Sequence, residues 1–354
     1  ASQITPMLYY RIFGAMNLED LSTLELLLSK PQSIVIVPHK NPDGDAIGSC
    51  LGLHLFLQQR GLQSKVVAPN DFPKFLKWMP AAEGIIVYEK ETQEAEKLLS
   101  NASLIFTLDF NDFSRVGPNM EKALARSKAS FVMIDHHQQP SDYATATFSN
   151  VEKSSTCEMV YDLIEAMNGT AQLTPEIATN LYTGIMTDTG SFKYRSTTSA
   201  THTAAAKLIE RGADNMAIHQ HVFDSNSPSR LHLLGVALRN MVISPEYRTA
   251  YITLSQEELD THNFKKGDTE GFVNYGLTLE GIIFAVIFIE NKDEGIIKIS
   301  FRSIGDFSVN QFARNHFNGG GHDNAAGGRS DVSLPETVAQ FQKLLPQYAK
   351  QLNP

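Results

Sequence analysis

Short runs of branched apolar residues alternate with helical patterns in the first part of this chain, and this alternation restricts its fold more than any other feature. The helical spacing of apolar residues predicts helices over Ala46–Gln59, Thr92–Leu99 and Met120–Ser127. The runs predict strands over Ser33–Val37, Lys65–Ala68, Gly84–Tyr88, Leu104–Leu108 and Phe131–Ile134. This order is typical of an α/β fold with a parallel sheet, in which ligands collect at the carboxyl ends of the strands.

A largely helical stretch follows, and strand patterns then resume. The predicted helices are Cys157–Met167, Pro175–Met186, Ala200–Glu210 and Ser229–Arg239, and the later strands are Thr249–Leu254, Ile282–Ile289 and Ile296–Ser300. Pro228 and Pro245 bracket the last of these helices. We therefore predict two domains, one over residues 1–240 that includes the helical connector and a smaller α/β domain over residues 241–354.

Composition excludes several classes of protein. The 42% of hydrophobic residues and 19% of charged residues indicate a globular chain, and the net charge of −9 argues against a groove for long nucleic acids. Only Cys50 and Cys157 are present, too few for a disulfide framework. Since no apolar run is long enough for a bilayer, we expect a cytoplasmic protein that does not bind membranes.

The first predicted strand runs into a turn rich in metal-ligand types. The turn contains His39 and the triplet Asp43-Gly44-Asp45, directly before a predicted helix. Glycine permits a tight backbone between the two carboxylates, and amides at a helix start favour anions. The alternative is ordinary turn chemistry in which Asp45 caps the helix.

Two more strands end in the same residue types. One strand ends at Asp109, and the next ends at Asp135-His136-His137. Asp188 falls at the end of a predicted helix, where the negative helix terminus disfavours a carboxylate unless it faces a cation. Each aspartate taken alone is commonly a cap or a loop residue, but neighbouring strand ends converge on one crevice.

Carboxylate and imidazole ligands without thiolates suit Mn²⁺, Mg²⁺, Fe²⁺ or Zn²⁺ at a hydrolytic centre. Two such ions clamp the attacking and leaving oxygens of phosphoryl transfer. The pattern therefore predicts an enzyme that hydrolyses phosphate esters.

These four motifs, in this order, resemble the DHH phosphoesterase family. The resemblance implies a first ion held by His39, Asp43 and Asp109, and a second ion held by Asp45, Asp109, His136 and Asp188, with Asp109 bridging both. It also implies that His137 faces the scissile phosphate and that Asp135 supports the site, where it can orient an imidazole. For His137, a satisfied polar contact without a catalytic role is the alternative.

A glycine-rich segment near the end of the chain follows a helical pattern over residues 309–315. It contains Gly319, Gly320, Gly321 and His322, and glycines at this density let backbone amides approach an anion. Upstream, a strand ends near Arg302 and Ser303, and a guanidinium can grip a phosphate through paired donors. A flexible turn and a surface arginine are the ordinary alternatives.

Together these segments resemble the DHH-associated C-terminal domain, which implies that they bind substrate and that the active site lies in the cleft between the two domains. The layout is most similar to NrnA-type enzymes. This resemblance implies hydrolysis of short RNA oligonucleotides to nucleoside monophosphates and dephosphorylation of 3′-phosphoadenosine 5′-phosphate (pAp). It also implies hydroxide attack at two metal ions, for which we expect Mn²⁺, with Mg²⁺ as the alternative. Hydrolysis of cyclic or linear dinucleotides is the closest rival. A single-strand DNA exonuclease and a non-catalytic nucleotide-binding regulator are further alternatives, and a homodimer is left open.

Overall fold

The computed structural model describes residues 17–30 and 33–353. The chain forms two compact units, one ending at Ser225 and one beginning at Asn226. The helix Pro228–Arg239 belongs to the second unit, because Leu233 and Val236 pack into a core formed by residues of the second sheet. This division precedes the predicted boundary after residue 240, which placed that helix in the first domain.

A parallel sheet of six strands forms the centre of the first unit, which confirms the predicted α/β fold. The strands are β1 (Ile34–Pro38), β2 (Ser64–Ala68), β3 (Ile86–Val87), β4 (Leu104–Leu108), β5 (Ser130–Asp135) and β6 (Ala146–Ser149). They lie in the order β3-β2-β1-β4-β5-β6, so the chain reverses direction across the sheet between β1 and β4. Strand β6 was not predicted, because it is short and lacks a run of branched residues.

Eight described helices surround this sheet. They are α1 (Leu18–Leu28), α2 (Gly44–Gln59), α3 (Thr92–Asn101), α4 (Pro118–Arg126), α5 (Thr156–Ala166), α6 (Pro175–Asp188), α7 (Ser199–Glu210) and α8 (Asn215–Phe223), with 3₁₀ turns at Lys74–Leu76, Ala82–Gly84, Phe113–Val116 and Thr170–Gln172. Alternate residues of β1 face opposite sides, as the two-residue period of a strand requires. Ile34 and Ile36 pack in the core with α2, α5 and α6, while Val35 and Val37 pack with α3 and α4. None of the helices in these ranges combines the length and apolar character needed to cross a membrane.

Three glycines on α2 allow it to lie almost in backbone contact with α6. A Cβ atom added at Gly48 would lie 2.6 Å from the carbonyl oxygen of Asn180, and one added at Gly52 would lie 2.5 Å from Leu181 Cδ2. Gly44, one turn earlier, would meet the Thr187 side chain in the same way. The close packing therefore brings the start of α2 next to the end of α6.

The second unit is built on a mixed sheet of six strands. These are β7 (Val242–Ser244), β8 (Thr249–Leu254), β9 (Phe284–Asn291), β10 (Ile296–Ser303), β11 (Gly320–His322) and β12 (Ala325–Ser330). Their order is β11-β12-β10-β9-β8-β7, and every neighbouring pair is antiparallel except β8 with β9. The helices are α9 (Pro228–Arg239), α10 (Gln256–Thr261), α11 (Val309–His316), α12 (Leu334–Leu344) and α13 (Ala349–Leu352), with 3₁₀ turns at Pro245–Tyr247, Phe272–Thr278 and Leu345–Tyr348.

Candidate metal centre

The turn after β1 is shaped by its aspartates. Asp43 is the N-cap of α2, because its side chain accepts hydrogen bonds from the amides of Asp45 and Ala46, each at 3.1 Å. The cap is therefore Asp43 and not Asp45, which was the alternative offered by the sequence. Asp45 lies in the first turn of the helix and is buried.

Two groups of side chains meet at the carboxyl ends of β1, β4 and β5, where the strand order reverses. In the first group, His39 Nε2 lies 3.4 Å from Asp109 Oδ2 and 4.0 Å from Asp43 Oδ1. In the second group, His136 Nε2 lies 3.4 Å from Asp109 Oδ1 and 3.8 Å from Asp45 Oδ2.

Asp188 joins the second group from the end of α6. Its Oδ2 lies 3.5 Å from His136 Nε2. All six side chains predicted as metal ligands thus lie together in the first unit. Asp109 contributes one carboxylate oxygen to each group, an arrangement that suits a ligand shared by two ions.

Backbone carbonyls orient the two histidines of these groups. His39 Nδ1 lies 2.9 Å from the carbonyl oxygen of Lys40, and His136 Nδ1 lies 3.2 Å from that of Lys153. A ring N–H that donates to a carbonyl fixes the tautomer and leaves Nε2 with its lone pair. Both Nε2 atoms face the carboxylates, as metal-ligating imidazoles do.

His137 and Asp135 form a pair beside these groups. His137 Nδ1 lies 2.7 Å from Asp135 Oδ1 and 3.8 Å from Asp109 Oδ1. Asp135 is fully buried, and its Oδ2 has no hydrogen-bond partner within the described ranges. The imidazole that Asp135 orients is therefore that of His137.

The electrostatics of the centre reflect buried carboxylates in close proximity. Burial raises the pKa of Asp45, and the neighbouring charges of Asp109 and Asp188 add to this effect. Burial also raises the pKa of Asp188, to about 7, against the lowering effect of His136. Burial lowers the pKa of His39, but the hydrogen bond to Asp109 and the charge of Asp43 outweigh it and raise that pKa to about 9.

These residues fit divalent cations. Carboxylates that are buried together repel one another. Without a cation, protons on the carboxylates and on the imidazoles offset their negative charge, and a bound cation would offset that charge instead. The donor set contains oxygen and imidazole nitrogen, which suits Mn²⁺ or Mg²⁺. Both cysteines are buried nearby, but no described thiol belongs to either ligand group.

In the second unit, Arg302 and His322 lie on the two strands that flank β12 and pair with the same β12 residue. Ala325 of β12 pairs with Arg302 on one side and with His322 on the other. The backbones of these two residues are therefore two strand spacings apart, about 10 Å.

The neighbouring predicted substrate ligands have other contacts. The Ser303 hydroxyl donates to the carbonyl oxygen of Phe307 at 2.6 Å and accepts from Asn324 at 2.8 Å, so it stabilises the turn after β10. The predicted glycine loop is in part a strand, because Gly320–His322 pairs with β12.

The glycines serve this hairpin directly. The amide of Gly319 donates to the carbonyl oxygen of Ala313, and the amide of Gly321 donates to Asn310 Oδ1. A Cβ atom at Gly319 would lie 1.9 Å from the carbonyl oxygen of Gly327, so close backbone packing requires glycine there. These two amides are engaged within the unit, and the predicted contact of the segment with an anion stays a prediction.

Sequence reasoning missed the polar contacts around the ligands. Asn70 holds the turn after β1 through its side chain, which accepts from the amide of Asn41 at 2.6 Å and donates to Asn41 Oδ1 at 3.0 Å. The start of α5 contacts Asp45 and Asp109 through Thr156. The Ser154-Ser155-Thr156 run marks a helix start in the sequence, but nothing in that run indicates which side chains it contacts.

Comparisons with known proteins match segments in both units of the chain. The DHH family, N-terminal domain, matches residues 33–185, and the DHHA1 domain matches residues 249–351. The bifunctional oligoribonuclease and PAP phosphatase NrnA of Thermus thermophilus is 33% identical over 305 residues, which are 86% of this chain and 86% of that protein. The cyclic-di-AMP phosphodiesterase GdpP of Geobacillus thermodenitrificans is 27% identical over 92% of this chain, which spans 49% of that longer protein.

A solved structure is similar over nearly the whole chain. The crystal structure of an exopolyphosphatase-related protein from Bacteroides fragilis has a TM-score of 0.92 and 39% sequence identity, and the match covers 96% of this chain and 99% of that one. The chain belongs to the DHH family of phosphoesterases, which are hydrolases that act on phosphate esters and whose chemistry implies divalent metal ions.

Proposed function

We propose that this chain hydrolyses short RNA oligonucleotides to nucleoside monophosphates and removes the 3′-phosphate of pAp. The observation that carries the proposal is the pair of ligand groups that share Asp109, each with one carboxylate oxygen. The identity to an oligoribonuclease and PAP phosphatase over most of both chains supports the choice of substrates.

In this proposal His39, Asp43 and Asp109 hold one ion, and Asp45, Asp109, His136 and Asp188 hold the other. We propose Mn²⁺ as the preferred ion, because it accepts both imidazole and carboxylate ligands, whereas Mg²⁺ prefers oxygen ligands and retains water. When bound, two divalent ions lower the pKa of a water molecule and offset the charge that develops on the phosphoryl oxygens.

His137 is proposed to act on the phosphate itself. Asp135 Oδ1 accepts a hydrogen bond from His137 Nδ1 at 2.7 Å and so orients the ring. In this role an N–H at Nε2 would donate to a phosphoryl oxygen or to the leaving oxygen of the ester. Asp135 thereby acts through His137.

The second unit is proposed to bind the end of the substrate. Arg302 donates from Nη1 to the carbonyl oxygen of Phe301 at 3.0 Å, and a guanidinium has five N–H donors, which suits it to grip a phosphate through a pair. His322 pairs with the opposite side of Ala325, the residue that also pairs with Arg302. Ser303, Gly319, Gly320 and Gly321 remain predicted substrate ligands. The Ser303 hydroxyl and the amides of Gly319 and Gly321 already bond within the unit, so the proposal assigns the main contacts to Arg302 and His322.

The test is the Asp109→Asn variant, with Asp142→Asn as its control because Asp142 is an exposed aspartate of the same unit. Each protein is stripped with EDTA, supplied with Mn²⁺ and incubated with a dinucleotide and with pAp. We expect wild-type and control proteins to release nucleoside monophosphate from the first and inorganic phosphate from the second. Asp109→Asn should lose both activities, and near-wild-type turnover by that variant would contradict the site.

Cyclic-dinucleotide hydrolysis is the second candidate, since the chain is 27% identical to a cyclic-di-AMP phosphodiesterase over most of its own length. Adding cyclic-di-AMP to the substrates of the assay above distinguishes this candidate from the oligoribonuclease and pAp phosphatase activity. A larger kcat/KM for the cyclic substrate than for the linear dinucleotide and pAp would favour this candidate.

A further inference from the structure

The first turn of α5 donates three hydrogen bonds to carboxylate oxygens of the proposed centre. The amides of Thr156 and Cys157 donate to the two oxygens of Asp45, at 2.7 and 2.8 Å. The hydroxyl of Thr156 donates to Asp109 Oδ1 at 2.9 Å. Thr156, Asp45 and Asp109 are all buried, so water does not compete readily for these bonds. Thr156 therefore contacts ligands that come from two different strand ends.

This turn is itself held in place. Ser155 caps α5 by accepting from the amide of Glu158 at 3.0 Å. The buried Glu158 carboxylate accepts from Lys153 at 3.0 Å and from the Thr201 hydroxyl at 2.9 Å. Contacts on both sides of the turn thus fix the position of the Thr156 hydroxyl.

The hydroxyl distinguishes the two oxygens of Asp109. Oδ2 lies 3.4 Å from His39 Nε2, in the first ligand group. Oδ1 lies 3.4 Å from His136 Nε2, in the second group, and accepts the Thr156 hydrogen bond. Because a carboxylate is planar, fixing one oxygen also fixes the direction of the other.

We propose that Thr156 is a positioning residue for the two-ion centre, whose hydroxyl sets the rotation of the Asp109 carboxylate so that one oxygen faces each ion. The inference rests on the ligand assignment under Proposed function. Thr156 touches neither substrate nor reacting atoms in this role and acts through Asp109. Contacts of this kind typically change metal affinity by about 10–100-fold when removed.

The experiment compares Thr156→Val, which keeps the size of the side chain and removes the donor, with Thr156→Ser, which keeps the donor. Thr183→Val is the control, because Thr183 is equally buried and its hydroxyl donates, among the described residues, to the carbonyl oxygen of Thr179 in its own helix and to no metal ligand. Calorimetric titration of the EDTA-treated proteins with Mn²⁺ gives the two dissociation constants. Urea unfolding of the metal-free proteins reports stability, and initial rates on a dinucleotide give kcat and KM.

We expect Thr156→Val to weaken at least one Mn²⁺ site by about 10–100-fold and to lower kcat at a fixed Mn²⁺ concentration, with little change in KM. Thr156→Ser and Thr183→Val should bind Mn²⁺ like the wild type. Wild-type dissociation constants in Thr156→Val would overturn the inference, and so would equal losses in the Val and Ser variants. Should the wild type itself bind no Mn²⁺, the ligand assignment fails instead.

Discussion

The contact between Gly184 of α6 and Cys157 of α5 gives a sharp prediction about how the centre is packed. A Cβ atom at Gly184 would lie 2.1 Å from Cys157 Sγ and 3.0 Å from Asp45 Oδ1. Ordinary contact requires about 3.5–4.0 Å, so Gly184→Ala must displace the sulfur by about 1.5 Å. Overpacking of this kind costs about 1–3 kcal/mol in the free energy of unfolding. Because the added Cβ atom would lie only 2.1 Å from Sγ, we expect a cost at the upper end of this range.

The higher helix propensity of alanine stabilises a helix by about 1 kcal/mol relative to glycine, so the net destabilisation expected for Gly184→Ala is about 2 kcal/mol. The assay is urea unfolding followed by the fluorescence of Trp78, the single tryptophan, which packs against the core of the first unit. Gly84→Ala is the control, since a Cβ atom at Gly84 would meet no atom within 4 Å. That variant should unfold at the wild-type urea concentration or slightly above it.

A double-mutant cycle with Cys157→Ala tests the cause. If Sγ is the obstacle, Gly184→Ala should cost much less in the Cys157→Ala background, with a coupling energy of about 1–2 kcal/mol. Additive effects of the two substitutions would refute the reasoning. Gly184→Ala should also reduce activity, because its Cβ atom lies against Asp45.

Three further variants test other contacts. Burial raises the pKa of Asp162 to about 7 despite the nearby Lys153. The protonated Asp162 carboxyl therefore contributes stability that is fully present below the unfolded pKa of about 4 and is lost as pH rises through 7. In urea unfolding, the free energy of unfolding of Asp162→Asn minus that of the wild type should be larger at pH 8 than at pH 5. The same difference at both pH values would contradict the pKa shift. Asn70→Ala removes two hydrogen bonds to Asn41 and should lower the free energy of unfolding by about 1–3 kcal/mol, measured in the same assay. Arg302→Ala should raise KM for a dinucleotide at least tenfold while kcat changes little, and a defect confined to kcat at saturating substrate would exclude the binding role.

Much of the metal centre could be predicted from the sequence, because several of its ligands directly follow predicted strands. His39, Asp109 and His136 each follow a strand with a strong branched-apolar pattern, and parallel strands place their carboxyl ends on one edge. Their meeting is therefore predictable from strand assignments alone. Asp188 was also identified, because a carboxylate at the end of a helix is unfavourable without a cation.

The rest depends on contacts that are distant in sequence. Asp45 is fixed by amides of Thr156 and Cys157, more than a hundred residues away. The glycine hairpin was read as an open loop because glycine density does not distinguish strand packing from anion binding. The register of Gly320 against Gly327 shows the strand pairing, which the sequence alone did not reveal.

The backbone at Asp109 has a consequence for engineering this enzyme. Its φ of 65° lies in the left-handed region, which glycine and asparagine adopt more readily than most residues. Asp109→Gly or Asp109→Asn would relieve the backbone conformation, but either change would remove a carboxylate charge that the fold favours. Burial raises the pKa of Asp109, but hydrogen bonds to His136 and His39 outweigh it and hold that pKa well below its usual range. Substitutions chosen for backbone preference alone therefore need a parallel screen for hydrolysis, because at this position they would remove the residue that both ligand groups share.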